Sequence, residues 1–379
     1  MINNNLRFRC TLAGTALMMV NALCHAQGNA PPPLTSPKIE PSGDVTFRLR
    51  APNANQVRLT SGGDIPVIPF GGGLEMTRSS DGVWEVTLES LDSGAYRYSF
   101  EVDGVSVLDP SNRMVSESNS NAWSLFYVSG SAFMDTQSLP HGAVAEVNYY
   151  STELKRHRRM HVYTPPEYQL GQDAYPVFYL LHGAMDSDDS WSSIGRAGFI
   201  LDNLIAAGEA EPMIMIMPDG HTERFRRGVS GLPINAFARE FAADIKPYIE
   251  QNYRVMTGRQ NAAIAGLSMG GGHALEIAVS ALDEYGYVGV FSSGVFSVNE
   301  DSSWQDNHKQ ALNDATLKEG LELVWFSTGS EDFLLDTTEA TVDLLRQHGF
   351  DVEYDESAGG HTWINWREYL SVFVPRLFK

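Results

Sequence analysis

Residues 261–278 read NAAIAGLSMGGGHALEIA. The apolar run from Asn261 to Ala265 stops at Gly266-Leu267-Ser268-Met269-Gly270, and helical spacing takes over from Gly271 to Leu282. Strand, sharp turn and helix together form the context that a nucleophile elbow requires. The flanking glycines leave room for the turn, and the serine stands at its tip with the hydroxyl exposed. In any other context the pentapeptide would be an ordinary glycine turn, so its position carries the reading. It makes Ser268 a candidate nucleophile and the Met269 amide a candidate oxyanion donor.

The same pattern extends outward from that turn. Tyr175 to Leu181 (YPVFYLL), Met213 to Met217 (MIMIM) and Glu322 to Thr328 (ELVWFST) are compact apolar runs, as expected of strands buried on both faces of a parallel sheet. Phe199 to Ala207 and Asn235 to Glu250 have helical spacing between them. Strands alternating with helices predict a doubly wound α/β domain over residues 140–379.

A serine hydroxyl needs a base to take its proton. Gly359-Gly360-His361-Thr362-Trp363 sets a histidine in a glycine loop ahead of an apolar helical tail, where its ring could swing over Ser268. The other nine histidines lie in the N-terminal segment, in polar stretches or ahead of the expected acid. That acid should follow a strand lying beyond the nucleophile, which directs attention to Gly329-Ser330-Glu331-Asp332-Phe333. Position favours Asp332, with Glu331 and Asp336 in reach of the same loop. A second oxyanion donor is expected after an earlier strand, at Leu180-Leu181-His182-Gly183-Ala184, which gives the Ala184 amide. No metal-binding spacing of the HExxH kind occurs, and no cofactor or metal is expected. Trp191, Phe333, Trp363 and Trp366 adjoin these motifs and are expected to meet the acyl group of a substrate.

The N-terminal part reads differently. Asp44 to Arg50, Gln56 to Thr60, Val83 to Leu88 and Tyr96 to Val102 are short alternating runs divided by Gly, Asp and Asn turns, which predicts an all-β sandwich over residues 41–135. Trp84, Tyr96, Tyr98 and Phe100 are better explained as its core than as a glycan platform. Residues 27–40 are Pro-rich and are expected to form an extended leader. Ahead of them, Arg7 and Arg9, the apolar run Thr11 to Leu23 and Cys24-His25-Ala26 form an export signal over residues 1–26, too short to span a bilayer. The expected location is therefore secreted or periplasmic, with no membrane attachment after signal removal. Both cysteines fall inside the signal, so the nucleophile is not a thiol. Removing the signal's two arginines from 27 basic residues leaves 25 against 47 acidic ones, a net charge of −22 that disfavours nucleic acid as a partner.

Taken together, LLHGAMDSDDSW, MPDG, GLSMGGGHALEIA, STGSEDF and GGHTWINW resemble the esterase D and feruloyl esterase group of carbohydrate esterase family one. The joining segment PHGAVAEVNYYSTELKRHRRMHVYTPPEY belongs to the same resemblance. Ala51-Pro52-Asn53-Ala54, Asp81-Gly82-Val83-Trp84 and Asp109-Pro110-Ser111-Asn112 resemble early-set, glycogen-binding-module-like domains. The resemblance implies an α/β-hydrolase domain preceded by an early-set sandwich. It also implies a Ser268–His361–Asp332 triad, oxyanion amides on Ala184 and Met269, and an ester of feruloylated or acetylated plant polysaccharide as substrate. A siderophore esterase and an acetylxylan esterase are the alternative enzymes, and a silent glycan-binding module the alternative from another class. Three features depart from the family pattern: His273, the Ala184-Met185-Asp186 stretch, and the basic segment 224–232 (RFRRGVSGL).

Overall fold

The computed structural model describes residues 33–226, 228, 231–298, 300 and 302–379. The expected export signal lies outside the described residues, as does the leader up to residue 32.

The N-terminal part is a sandwich of two antiparallel sheets. One contains β1 (Lys38–Ile39), β2 (Val45–Arg50), β5 (Thr77–Arg78) and β6 (Val83–Leu88), in the order β1-β2-β6-β5. The other runs β4-β3-β7-β10-β9, with β8 on β7, from β3 (Val57–Ser61), β4 (Gly73–Glu75), β7 (Gly94–Val102), β8 (Val105–Val107), β9 (Val115–Glu117) and β10 (Ala122–Val128). Alternation drives the packing, as in β3, where Val57, Leu59 and Ser61 are buried and Arg58 and Thr60 are not. Phe47, Tyr98 and Phe126 meet edge to face with centroids 4.8 to 5.6 Å apart, and Trp84, Tyr96 and Phe100 are buried in the same core. Order starts earlier than expected: the buried Ser36 hydroxyl accepts from the Arg48 amide at 3.0 Å, and Lys38–Ile39 pairs with β2.

The second domain is built on an eight-stranded sheet of order β11-β12-β14-β13-β15-β16-β17-β18. Its parallel strands are β13 (Val177–Leu181), β14 (Ile214–Pro218), β15 (Ala262–Leu267), β16 (Tyr287–Phe291), β17 (Leu323–Gly329) and β18 (Glu353–Ser357). β11 (Ala143–Ser151) and β12 (Arg156–Thr164) run antiparallel at one edge. Helices α1 (Ala197–Ala206), α2 (Ile234–Glu240), α3 (Lys246–Asn252), α4 (Met269–Ser280), α5 (Leu335–Gln347) and α6 (Trp363–Phe373) pack on its two faces, and a separate apolar cluster fills each side.

The polar strand β12 (RHRRMHVYT) holds its place in the sheet by pairing its charges: Arg158 with the buried Glu240 at 2.9 Å, and Arg159 and His161 with the buried Asp188 at 2.8 Å each. The single helix expected over 235–250 is interrupted by a π turn at Phe241–Ile245 between α2 and α3. Pro247, in the first turn of α3, has no amide to give the preceding turn.

The domains share a buried joint. Asp64 and Arg97 from the sandwich meet Asp186, from the loop after β13, and Arg367 of α6. Arg367 Nη1 donates to the Ala95 carbonyl at 3.2 Å and to that of Ile194 at 3.0 Å.

Candidate active site

The ends of three parallel strands supply the candidate residues: β15 leads to Ser268, β17 to Asp332, and β18 to His361. Ser268 adopts φ 50° and ψ −121°, a conformation that L residues rarely hold and that aims its side chain out of the turn. The glycines on either side are required. A Cβ on Gly266 would lie 2.3 Å from the Gly270 carbonyl group, and one on Gly270 would lie 2.5 Å from the Leu181 oxygen. Gly183 also brings the β13 loop close, since a Cβ there would lie 2.7 Å from Leu267 Cδ1 and 3.4 Å from Ser268 Cβ. Among the described residues neither the Ala184 amide nor the Met269 amide, the first of α4, donates to a backbone carbonyl.

His361 Nδ1 lies 3.0 Å from both Asp332 oxygens. Asp332 is 5% exposed, whereas Glu331 and Asp336 are exposed. Burial alone would raise the Asp332 carboxyl, but hydrogen bonds from His361, the Leu334 amide and Ser292 outweigh it and hold the group below its usual range. An ionised Asp332 accepting from Nδ1–H leaves Nε2 as the basic nitrogen. No hydrogen bond joins Ser268 Oγ to His361 in this structure, so the pair that is made is His361–Asp332. Gly329 and Gly359 let the two loops touch, since a Cβ on Gly329 would lie 2.2 Å from the Gly359 oxygen.

The aromatic expectations divide. Phe333 is 75% exposed, with its ring 4.4 Å from that of His361. Trp191, Trp363 and Trp366 are not surfaces for a substrate: they are 1%, 3% and 5% exposed. Trp191 packs edge-on against Trp363 at 4.9 Å and donates to the Leu181 carbonyl. Trp366 donates to Ser292 Oγ at 3.0 Å and presents an edge to His361, so it supports the base from below.

Sequence reading marked His273 but did not bring it together with His182 and His221 in the polar shell behind the β13 loop. His182 Nδ1 lies 2.8 Å from the Gly183 oxygen, and Nε2 accepts from the Gly220 amide at 2.8 Å, which locks that loop to the one after β14. His221 and His273 are buried, and neither ring nitrogen of either makes a well-formed hydrogen bond among the described residues. Burial holds His221 at about 4 and His273 well below the ordinary histidine value. Neighbouring histidines would have revealed the cluster only with the strand order known. No group of three or more His, Cys, Asp or Glu among the described residues could hold a metal ion.

Comparison with known proteins gives two family matches. The esterase family model, described as "Putative esterase", matches residues 151–377, and that of carbohydrate-binding module 48, the isoamylase N-terminal domain, matches residues 35–117. An endo-1,4-beta-xylanase/feruloyl esterase of Xylanibacter ruminicola is 28% identical over 90% of this chain and 46% of its own length. The chain thus spans less than half of that relative. A solved ferulic acid esterase superposes with a TM-score of 0.55 at 27% identity, covering 62% of this chain and 97% of the other. The enterobactin esterase of Shigella flexneri shares the fold across both domains, with a TM-score of 0.61 at 18% identity over 88% of this chain and 92% of the other.

Proposed function

Because the chain belongs to the esterase family, we propose that it hydrolyses carboxylic esters on xylan-type polysaccharide, with feruloyl esters as the preferred substrates. One observation carries the reading: a serine in strained backbone at a glycine-flanked turn, with His361 hydrogen-bonded to the buried Asp332 at the ends of β18 and β17 of the same sheet. His361 Nε2 takes the Ser268 proton as Oγ attacks the ester carbonyl. The amides of Ala184 and Met269 receive the oxyanion, and the alcohol leaves with the proton from His361. Water, deprotonated by the same imidazole, then attacks the acyl-enzyme and frees the acid. Every step is a proton transfer or an acyl transfer, so neither metal nor cofactor is required.

The feruloyl assignment is supported by the xylanase/feruloyl esterase relative and by the exposed Phe333 ring beside His361. The protein is exported and acts outside the cytoplasm, consistent with the signal read at residues 1–26. A product assay on feruloyl arabinoxylan, acetylxylan and a trilactone siderophore tests the proposal. Preferential release of ferulate is the expected outcome, and preferential cleavage of acetyl groups or of the trilactone refutes it.

A further inference from the structure

The first three residues of the basic segment that departs from the family pattern lie beside the β13 loop. Arg224, Phe225 and Arg226 line a cavity of about 350 Å³ together with Met185, Asn119 and Ser120. The three sources are distinct: Met185 directly follows Ala184, and Asn119 and Ser120 belong to the turn between β9 and β10 of the sandwich. Asn119 ties them together, since its amide donates to the Met185 carbonyl at 3.3 Å and its Nδ2 to the Phe225 carbonyl at 2.9 Å.

The chemistry of this lining is out of balance with the rest of the chain. A protein of net charge −20 repels anions in general, yet this cavity is walled by two guanidiniums, that of Arg226 already engaged in an interaction, and no carboxylate among the described residues lines it. Arg224 has no ionic or hydrogen-bonding partner among the described residues. A guanidinium presents paired donors that match a carboxylate, and the face of a ring such as Phe225 suits the apolar side of a pyranose. We infer that this cavity is a subsite for a uronic-acid unit of the polysaccharide that carries the ester. The subsite rests on the proposed reaction for its position but not for its binding chemistry. The sandwich contributes the Asn119–Ser120 turn to this cavity, and its own aromatics stay in its core.

Calorimetry on the full chain carrying Ser268→Ala, with a xylo-oligosaccharide bearing one glucuronic acid and the neutral oligosaccharide of the same length, separates binding from turnover. The acidic ligand should bind about tenfold more tightly, the gain of one well-made charged contact. Arg224→Ala and Arg226→Ala should each remove most of that advantage, and about 0.5 M salt should shrink it by screening. Equal affinity for the two ligands overturns the subsite, as does an advantage that survives the double arginine variant. Free glucuronate binding as tightly as the oligosaccharide overturns its assignment to a saccharide chain. If the unsubstituted enzyme cleaves none of the ester panel while the acidic preference persists, the subsite stands and the proposed reaction falls. If ferulate is released without any acidic preference in binding, the reverse holds.

Discussion

Arg97 Nη1 donates to Asp186 Oδ1 at 2.7 Å across the domain joint, with both side chains buried. The same guanidinium reaches Ser190 Oγ at 2.8 Å and Ser116 Oγ at 2.9 Å and lies 5.8 Å from the Trp363 ring centre. Asp186 and Ser190 belong to the loop whose Ala184 amide is proposed to hold the oxyanion, so a sandwich residue sets the shape of that loop. Arg97→Ala should cost about 3–5 kcal/mol by stranding a buried carboxylate. It should also lower kcat by at least about tenfold, because a displaced oxyanion donor acts on the transition state. Pairing Arg97→Met with Asp186→Leu should recover much of the Tm but little of the kcat. An Arg97→Ala protein with undiminished kcat would show that the joint has no part in the chemistry.

Ser268→Ala should reduce turnover of a soluble ester by about 10⁴-fold or more and leave a residual rate from the remaining site. Stability should change little, because the hydroxyl adds chemistry and not packing. Turnover within about tenfold of the parent enzyme would exclude Ser268 as nucleophile.

Among the described residues Asp332 is the carboxylate hydrogen-bonded to His361, so Asp332→Asn should approach the loss seen on removing a triad acid, about 10⁴-fold in kcat. Glu331→Gln and Asp336→Asn, both at exposed positions, should stay near parent activity. Initial rates on one soluble ester rank the three, and a severe Asp336→Asn would move the acid one helical turn away.

Phe333 and Trp191 separate surface from core. Phe333→Ala should raise KM for an aryl ester several-fold and leave Tm unchanged, as its ring is 75% exposed. Trp191→Ala should instead cost about 3–5 kcal/mol of stability by opening a cavity behind the β13 loop. Equal KM values for Phe333→Ala and its parent would remove the ring from the substrate's path.

How much could be read beforehand follows from how local each signal was. The turn at Ser268, the parallel strands and the Asp332 and His361 loops are local patterns of glycines and apolar runs, and each lies within a few residues of its expected place. β12 was hidden because its polar residues find partners such as Glu240 and Asp188, far away in sequence. The tryptophans were misplaced for a related reason: proximity to a motif in sequence does not say which side of the sheet end a ring occupies. Arg97 carried no signal, since its partner lies 89 residues on.

Acid should weaken the fold through two of the buried histidines, His221 and His273. His221 sits at about 4 against an ordinary 6.5, and His273 lies well below 6.5, so between those limits the unfolded chain binds more protons than the native one. Their contribution is complete above pH 6.5 and is lost as pH falls toward 4, by about 3 kcal/mol for His221. His182, Asp219 and Asp186 face the same cluster and stay in place in His273→Leu. That variant should therefore lose less Tm than its parent between pH 7 and pH 5. An unchanged slope would mean that His273 is protonated in the native state.

The buried joint also constrains the order of assembly. During synthesis the sandwich emerges first, yet the charge set around Asp64 is complete only when α6 delivers Arg367, whose bond to Ala95 spans 272 residues. Until α6 leaves the ribosome, the first domain exposes Asp64 and Arg97 without Arg367 across from them. The two domains therefore do not mature one after the other. Completion of the second closes the first, and chains released early should go to chaperones and proteases with both domains unfinished.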